Sequence, residues 1–136
     1  MNNRLFIPIV CLLAMIFAVA HAQVPSTSRA GNEALGLGIL VGKWVRLEGG
    51  YVINIHAVQS DGKLDAAYAN PKPLPFSMAE ATREGDALKL FFELRAGGYG
   101  GSTYTLNYDA SSDTLRGIYN QVVVKQKFDV VFARVK

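Results

Sequence analysis

The side chains of this 136-residue sequence that could do chemistry are mostly phenols. A polar-aromatic set lies on three predicted strands and comprises Tyr68, Tyr104, Tyr108, Tyr119 and Gln121. Aromatic walls with a few hydroxyl or amide groups are typical of pockets for small organic molecules. We therefore take Tyr68, Tyr104, Tyr119 and Gln121 as candidate ligand-binding residues. The same side chains would also fill the inside of a small barrel, and this structural interpretation is favoured over a pocket.

Glu80 and Tyr99 are two further candidates. Glu80 follows Phe76 and Met78 at a spacing of two, so the pattern predicts that it points inward as a polar anchor for a ligand. Two structural alternatives remain: a buried ion pair with Arg95 or Arg134, or a register shift of one residue that exposes Glu80. Tyr99 is the single aromatic of residues 97–101, GGYGG, which predict a mobile hairpin tip. Tyr99 could contact a ligand or a partner there, or the glycines could simply permit positive φ in a wide turn.

The sequence does not offer the sets of residues that catalysis or metal binding would need. His56 has no nucleophile or carboxylate set beside it, and we predict a solvated residue on the outer face of its strand. The only cysteine, Cys11, lies in an N-terminal leader, so the mature chain is predicted to have no disulfide and no cysteine nucleophile. With 14 basic and 11 acidic residues and no basic run, nucleic-acid binding is not expected. We expect no enzymatic activity, no cofactor and no metal.

Residues 1–22 predict an export signal. Arg4 supplies a positive charge near the start, and an apolar run interrupted by Pro8 follows it. Ala20 and Ala22 provide small residues before a cleavage position. The run is shorter than the roughly 20 residues that span a bilayer, so a retained signal anchor is the weaker alternative. Cleavage would place the mature chain in the periplasm or outside the cell, free of the membrane.

The remaining chain divides into a leader and one domain. Residues 23–41 predict a mobile leader and a short helical turn over residues 32–40, in which Leu35, Leu37 and Ile39 cover one end of a barrel. Alternating apolar and polar residues, separated by turn signals, predict strands at 43–48, 51–58, 63–69, 74–84, 87–95, 102–109, 114–125 and 127–135. Because each predicted strand has one solvent-exposed and one buried face, the pattern favours an all-β fold. We predict an eight-stranded antiparallel up-and-down β-barrel over residues 42–136. A two-sheet sandwich is the alternative.

Two short motifs stand at the ends of the predicted barrel. Residues 42–44 are Gly-Lys-Trp on the first strand, and residues 132–134, Phe-Ala-Arg, end the last strand. This pattern resembles the calycin group, the lipocalins and avidin-like barrels, and implies that Trp44 packs at the closed end with Arg134 across it. Residues 62–68, GKLDAAY, are similar to the avidin-like Gly-x-Leu-x-Gly-x-Tyr, although a single tryptophan does not suit a biotin site. The mature chain also resembles small exported bacterial proteins, a likeness that implies no function.

Two functions follow from these patterns. The first is a non-enzymatic exported barrel that binds a small apolar or aromatic ligand at one open end. The alternative is a protein-binding module, such as an inhibitor of a protease or lytic enzyme, that inserts residues 23–30 or the Tyr99 loop into an exported partner. A cavity of at least about 300 Å³ open to solvent would favour the first, and a filled interior would favour the second. A monomer is expected in both cases.

Overall fold

A computed structural model of the chain describes residues 36–95 and 97–136. Its strands are β1 (Gly42–Arg46), β2 (Val52–Val58), β3 (Leu64–Ala69), β4 (Pro73–Glu84), β5 (Ala87–Leu94), β6 (Thr103–Asp109), β7 (Thr114–Gln121) and β8 (Gln126–Arg134). Short 3-10 turns lie at Gly38–Leu40 and Gly97–Tyr99. The predicted export signal, the leader at 23–30 and the start of the helical turn fall outside the described residues. Within the described part, no helix is long and apolar enough to cross a membrane.

The strands form one antiparallel sheet that closes on itself. They pair in sequence order from β1 to β8, and β1 then pairs with β8. In that closing pair Trp44 lies opposite Arg134 and Arg46 lies opposite Phe132. The eight-stranded up-and-down barrel predicted from the alternating pattern is therefore confirmed, and the sandwich alternative is wrong.

The inside of the barrel is packed with every second residue of the strands. On β5 the buried residues are Leu88, Leu90, Phe92 and Leu94, while the intervening Lys89 is exposed. β6 continues the pattern with buried Tyr104 and Leu106. Fully burying a side chain of this size contributes about 1.5–3 kcal/mol relative to leaving it exposed, so this interior supplies most of the driving force for folding.

A β-bulge in β4 changes which side chains of the strand point into the barrel after residue 77. Ser77 is the extra residue between Phe76 and Met78, where the register against β5 shifts. Beyond the bulge Ala81 is buried, whereas Met78 and Glu80 are exposed. The prediction that Glu80 points inward is therefore wrong, because one inserted residue moves the following side chains to the opposite face.

His56 lies at a second bulge, in β2, where the register against β3 shifts between Ile55 and Ala57. Its side chain is exposed, and its Nε2 lies 3.5 Å from Nδ2 of Asn54. The prediction of a solvated histidine on the outside of the strand is confirmed.

The strand β7 ends at Gln121, not at residue 125 as the sequence predicts. Val122 to Lys125 form the turn into β8, in which Lys125 has a φ of 54° and donates its backbone N–H to the Val122 carbonyl at 3.3 Å. Valine favours strands, so the sequence pattern continued the strand through this run. The register pairs Gln121 with Gln126, and this pairing requires the reversal at the four residues between them.

Leu37 and Leu40 cover one end of the barrel. Both are buried, while Ile39 is 48% exposed. Residues three apart share one side of a 3-10 turn, which places Leu37 and Leu40, and not Ile39, over the interior. The expected covering role of Ile39 is therefore wrong, and Leu35 lies outside the described residues.

The contact between Trp44 and Arg134 that the calycin resemblance implies is present at this end. Trp44 is fully buried, and its indole N–H donates to the Leu40 carbonyl at 2.9 Å. The Arg134 guanidinium carbon lies 4.1 Å from the centre of the Trp44 ring. The same guanidinium donates to the carbonyls of Val41 at 2.8 Å and Ile39 at 2.6 Å. One side chain thus fixes the turn, the first strand and the last strand together.

Two more side chains hold Arg134 in place. Its Nε donates to both carboxylate oxygens of Asp113, at 3.0 and 2.8 Å, and this bond lowers the pKa of Asp113. Tyr108 donates to the same carboxylate at 3.1 Å and packs edge-on against Trp44. Gly42 has a φ of +143°, and a Cβ there would lie 2.8 Å from Nη1 of Arg134. The close approach therefore requires glycine at this position.

Replacing Trp44 should destabilise the domain severely. Trp44→Ala removes a fully buried ring and the hydrogen bond to Leu40, with an expected loss of about 3–5 kcal/mol. Small domains have roughly 5–15 kcal/mol of stability in total, so much of the variant should be unfolded. Urea unfolding followed by far-ultraviolet circular dichroism measures the loss without relying on the single tryptophan. Lys43→Ala, at the exposed neighbour, is the control and should stay within about 0.5 kcal/mol. A Trp44→Ala melting temperature within a few degrees of wild type would contradict a core role.

Candidate functional site at the open end of the barrel

A pocket of about 300 Å³ opens to solvent at the end of the barrel opposite the Trp44–Arg134 contact. Its lining residues are Arg46, Glu48, Gly49, Tyr51, Tyr68, Tyr99, Tyr119, Gln121 and Phe128. This volume is at the lower end of the range for small-molecule pockets. The open end can therefore hold a molecule of up to three aromatic rings.

Closure of the barrel brings these residues together from distant parts of the chain. Arg46 follows Trp44 by two positions on β1, so both face the interior. Tyr119 and Gln121 share the corresponding face of β7, and Phe128 of β8 lies directly opposite Tyr119. Because β1 and β8 are neighbours, the first and last strands supply adjacent parts of the pocket wall.

Stacked tyrosine rings form the floor and one wall of the pocket. Tyr104 is fully buried beneath it, with its ring centre 4.5 Å from that of Tyr119 and the two planes 21° apart. The Tyr68 ring lies 5.9 Å from Tyr104, and the Tyr51 ring stacks on Tyr68 at 6.0 Å. Such ring pairs contribute about 0.5–1.5 kcal/mol each beyond their buried area, so the wall is held rigidly.

Burial keeps the phenols of this stack protonated. The hydroxyls of Tyr68 and Tyr104 are hydrogen-bonded at 3.2 Å. Burial raises the pKa of Tyr68 far above its ordinary value, and the bond to Tyr104 raises it further. Burial also raises the pKa of Tyr104 to about 12 and increases the pKa of Tyr119. At neutral pH these groups therefore offer hydrogen bonds and ring faces and do not act as bases.

Arg46 is held between two rings of the pocket. Its guanidinium carbon lies 5.3 Å from the centre of the Tyr51 ring and 5.9 Å from that of Tyr119. A cation at this distance is attracted to the negative face of a ring by about 0.5–2 kcal/mol. The pocket thus combines ring faces, phenol and amide groups, one cation and the exposed carboxylate of Glu48.

The structure brings together most of the candidate residues named from the sequence. Tyr68, Tyr99, Tyr119 and Gln121 line the pocket, and Tyr104 lies directly beneath it. Glu80 does not join them, because the bulge in β4 places it on the outside of the barrel.

Tyr99 lies against the mouth of the pocket. Its side chain is half-buried, and its hydroxyl accepts a hydrogen bond of 3.4 Å from Nδ2 of Asn70. Gly101 has a φ of +81°, and the Ser102 N–H donates to the Tyr99 carbonyl at 2.8 Å. Both interpretations of the glycine-rich stretch therefore hold in part: a glycine supplies positive φ, and Tyr99 forms part of the pocket wall.

Sequence reasoning missed Arg46, Tyr51 and Phe128 as pocket residues. The alternation of β8 placed Phe128 on the inward face, and Arg46 follows the inward Trp44 by two positions, so both signals were available. Tyr51 directly follows the Gly49-Gly50 turn, where alternation does not assign a face.

Comparisons with known proteins provide no relative from which a function could be transferred. No family model, no curated protein and no solved structure matches the chain. The function must therefore be inferred from the geometry of the pocket itself.

Raising the pH should destabilise the barrel through its buried phenols. Unfolded tyrosines ionise near pH 10, whereas Tyr104 holds its proton to about pH 12 and Tyr68 beyond that. The unfolded state therefore releases protons first, and the free energy of unfolding should fall as pH rises from about 10 to 12. Urea unfolding across this range should show a smaller fall in the double variant Tyr68→Phe, Tyr104→Phe. An equal fall in both proteins would show that these hydroxyls do not cause the dependence.

Proposed function

We propose that the chain is an exported barrel of the calycin type that binds one small apolar or aromatic molecule at its open end, without catalysis. The observation that carries the proposal is the solvent-open pocket of about 300 Å³, walled by the rings of Tyr51, Tyr68, Tyr119 and Phe128. A molecule that enters it would replace water against ring faces that are already ordered. Little conformational entropy is then lost on binding, and this favours affinity in a small site.

The rest of the chain supports this proposal in two ways. The Trp44–Arg134 contact and the eight-stranded closed order match what the calycin resemblance implies for the fold. The export signal predicted at residues 1–22 would place the protein in the periplasm or outside the cell, where a monomeric carrier or receptor can meet small molecules directly. The proposed function involves neither binding to nucleic acid nor attachment to a membrane.

We propose binding without catalysis because of the chemical groups that line the pocket. Tyr68 and Tyr119 stay protonated at neutral pH because their burial disfavours the charged phenolate. The remaining polar groups of the lining are the hydroxyls of Tyr51 and Tyr99, the guanidinium of Arg46, the amide of Gln121 and the exposed carboxylate of Glu48. The guanidinium and the amide can orient a ligand, and the lining includes no serine, cysteine, lysine or histidine with which the Glu48 carboxylate could form a catalytic pair.

A protein-binding module is the second candidate, and a separate observation favours it. Val122, Val123 and Val124 form the β7–β8 turn at the open end with exposures of 39%, 61% and 50%. Exposed apolar residues grouped at one place are typical of interaction surfaces, so an exported enzyme could dock here. The Tyr99 loop supports this alternative less, because its aromatic ring lies against the pocket.

The neutral fluorescent amine N-phenyl-1-naphthylamine tests the pocket directly. We expect saturable fluorescence enhancement with wild type, and an affinity reduced roughly fivefold or more in Tyr99→Ala, since one ring of the wall is lost. Tyr99→Ala should leave the melting temperature nearly unchanged, because Tyr99 is only half-buried. Met78→Ala, at an exposed residue on the outside of β4, is the matched control and should bind like wild type. Absence of saturable binding to wild type would overturn the proposal.

Native mass spectrometry of the protein purified from its own host separates the two candidates. A retained small molecule that N-phenyl-1-naphthylamine displaces would support the ligand-binding function. A stoichiometric complex with an exported protein that Val123→Asp abolishes, without any change in probe affinity, would support the alternative.

A further inference from the structure

The positive charge of Arg46 faces the pocket without a carboxylate partner. Arg116 and Arg134 each form an ion pair with an aspartate, at 3.5 and 2.8 Å. Among the ion pairs of residues 36–95 and 97–136, none involves Arg46. Its half-buried guanidinium instead rests on the faces of Tyr51 and Tyr119. A cation that has lost part of its hydration in this way gains from any anion that enters the pocket.

The charges of the loops are separated between the two ends of the barrel. At the open end, the connections between strands contain Lys72, Arg95 and Lys125 and a single acidic residue, Glu48. At the closed end, the three hairpin turns contain Asp61, Asp86 and Asp113 and a single basic residue, Lys63. Charges of one sign around a cleft raise the local concentration of ions of the opposite sign. The loops around the mouth therefore favour the approach of anions.

We propose that the pocket is selective for small aromatic anions, in which up to three rings carry a carboxylate or sulfonate group. This inference rests on the proposed ligand-binding function and adds the charge of the ligand to it. The rings of the ligand stack on Tyr51, Tyr68 and Tyr119, and its anionic group pairs with Arg46. The planar guanidinium suits this role because it can donate two parallel hydrogen bonds to one anionic group while its face remains stacked on a ring.

Glu48 sets the strength of this selectivity. It is the only carboxylate among the residues that line the pocket, and it is exposed at the rim, two positions after Arg46. Solvent screens a charge at the rim more strongly than a half-buried one. Glu48 therefore weakens the attraction for anions without cancelling it, and its removal should strengthen anion binding.

The test compares two probes that share one ring system. N-phenyl-1-naphthylamine is neutral, and 1-anilinonaphthalene-8-sulfonate carries one sulfonate on the same skeleton. We expect wild type to bind the sulfonate roughly tenfold more tightly than the neutral probe, and Arg46→Met to reduce this ratio of affinities to about one. Methionine keeps the apolar stem of the side chain in contact with the rings. Lys43→Met removes an exposed charge on the outer face of β1, outside the pocket lining and the loops of the open end, and should leave the ratio within about twofold of wild type.

Glu48→Gln provides a second, independent variant at an exposed position, so the test does not depend on Arg46→Met folding. It should increase the affinity for the sulfonate, relative to that for the neutral probe, about twofold to fivefold. Equal affinities of wild type for the two probes, or a sulfonate affinity that Arg46→Met and Glu48→Gln leave unchanged, would overturn the inference while the proposed function stands. Binding of neither probe would overturn the proposed function itself.

Discussion

The contact of Arg134 with Trp44 determines which end of the barrel is closed. The strands β1 and β8 join over only three residue pairs, so few ladder bonds hold the first strand to the last. Arg134 adds a guanidinium on the indole face, two hydrogen bonds to carbonyls of the segment before β1, and an Nε–H that is shared between both carboxylate oxygens of Asp113. These carbonyls would otherwise end a 3-10 turn without partners. A single arginine thus satisfies the turn and fastens the closing pair.

The opposite end is lined by residues whose side chains can also contact water. Below the pocket the interior is filled as far as Tyr104, whose hydroxyl bonds to that of Tyr68. Above it the wall consists of tyrosines and not of leucines or phenylalanines, with Phe128 as the exception at 37% exposure. A tyrosine ring can line an apolar surface while its hydroxyl remains hydrated. The mouth is therefore stable when filled with water and still offers ring faces to a ligand.

The sequence predicted the fold more fully than the site, for a physical reason. The alternation of apolar residues indicated all eight strands, because each strand has one dry face, and it placed most boundaries within one or two residues. It failed at Ser77, since a bulge in one strand leaves no local signal, and the error moved Glu80 to the wrong face. The sequence prediction also extended β7 through Val122, Val123 and Val124, which form a turn. Arg46 was missed although it alternates with the inward Trp44 on β1, because a charged residue is rarely expected on the inner face of a strand.

The same closure gives the open end its chemical character. Arg46 and Trp44 alternate on β1 as inward residues, so the strand that fixes the closed end with an indole also delivers a cation to the other end. The rings of Tyr51 and Tyr119 stack on that cation and favour its place at the wall over a fully hydrated position in solvent. Rings alone would accept any apolar molecule that fits, because burial of apolar area is not directional. A fixed positive charge beside the rings favours ligands that carry a negative group at the matching position. Ring stacking and charge pairing together select a narrower class of ligands than either interaction does alone.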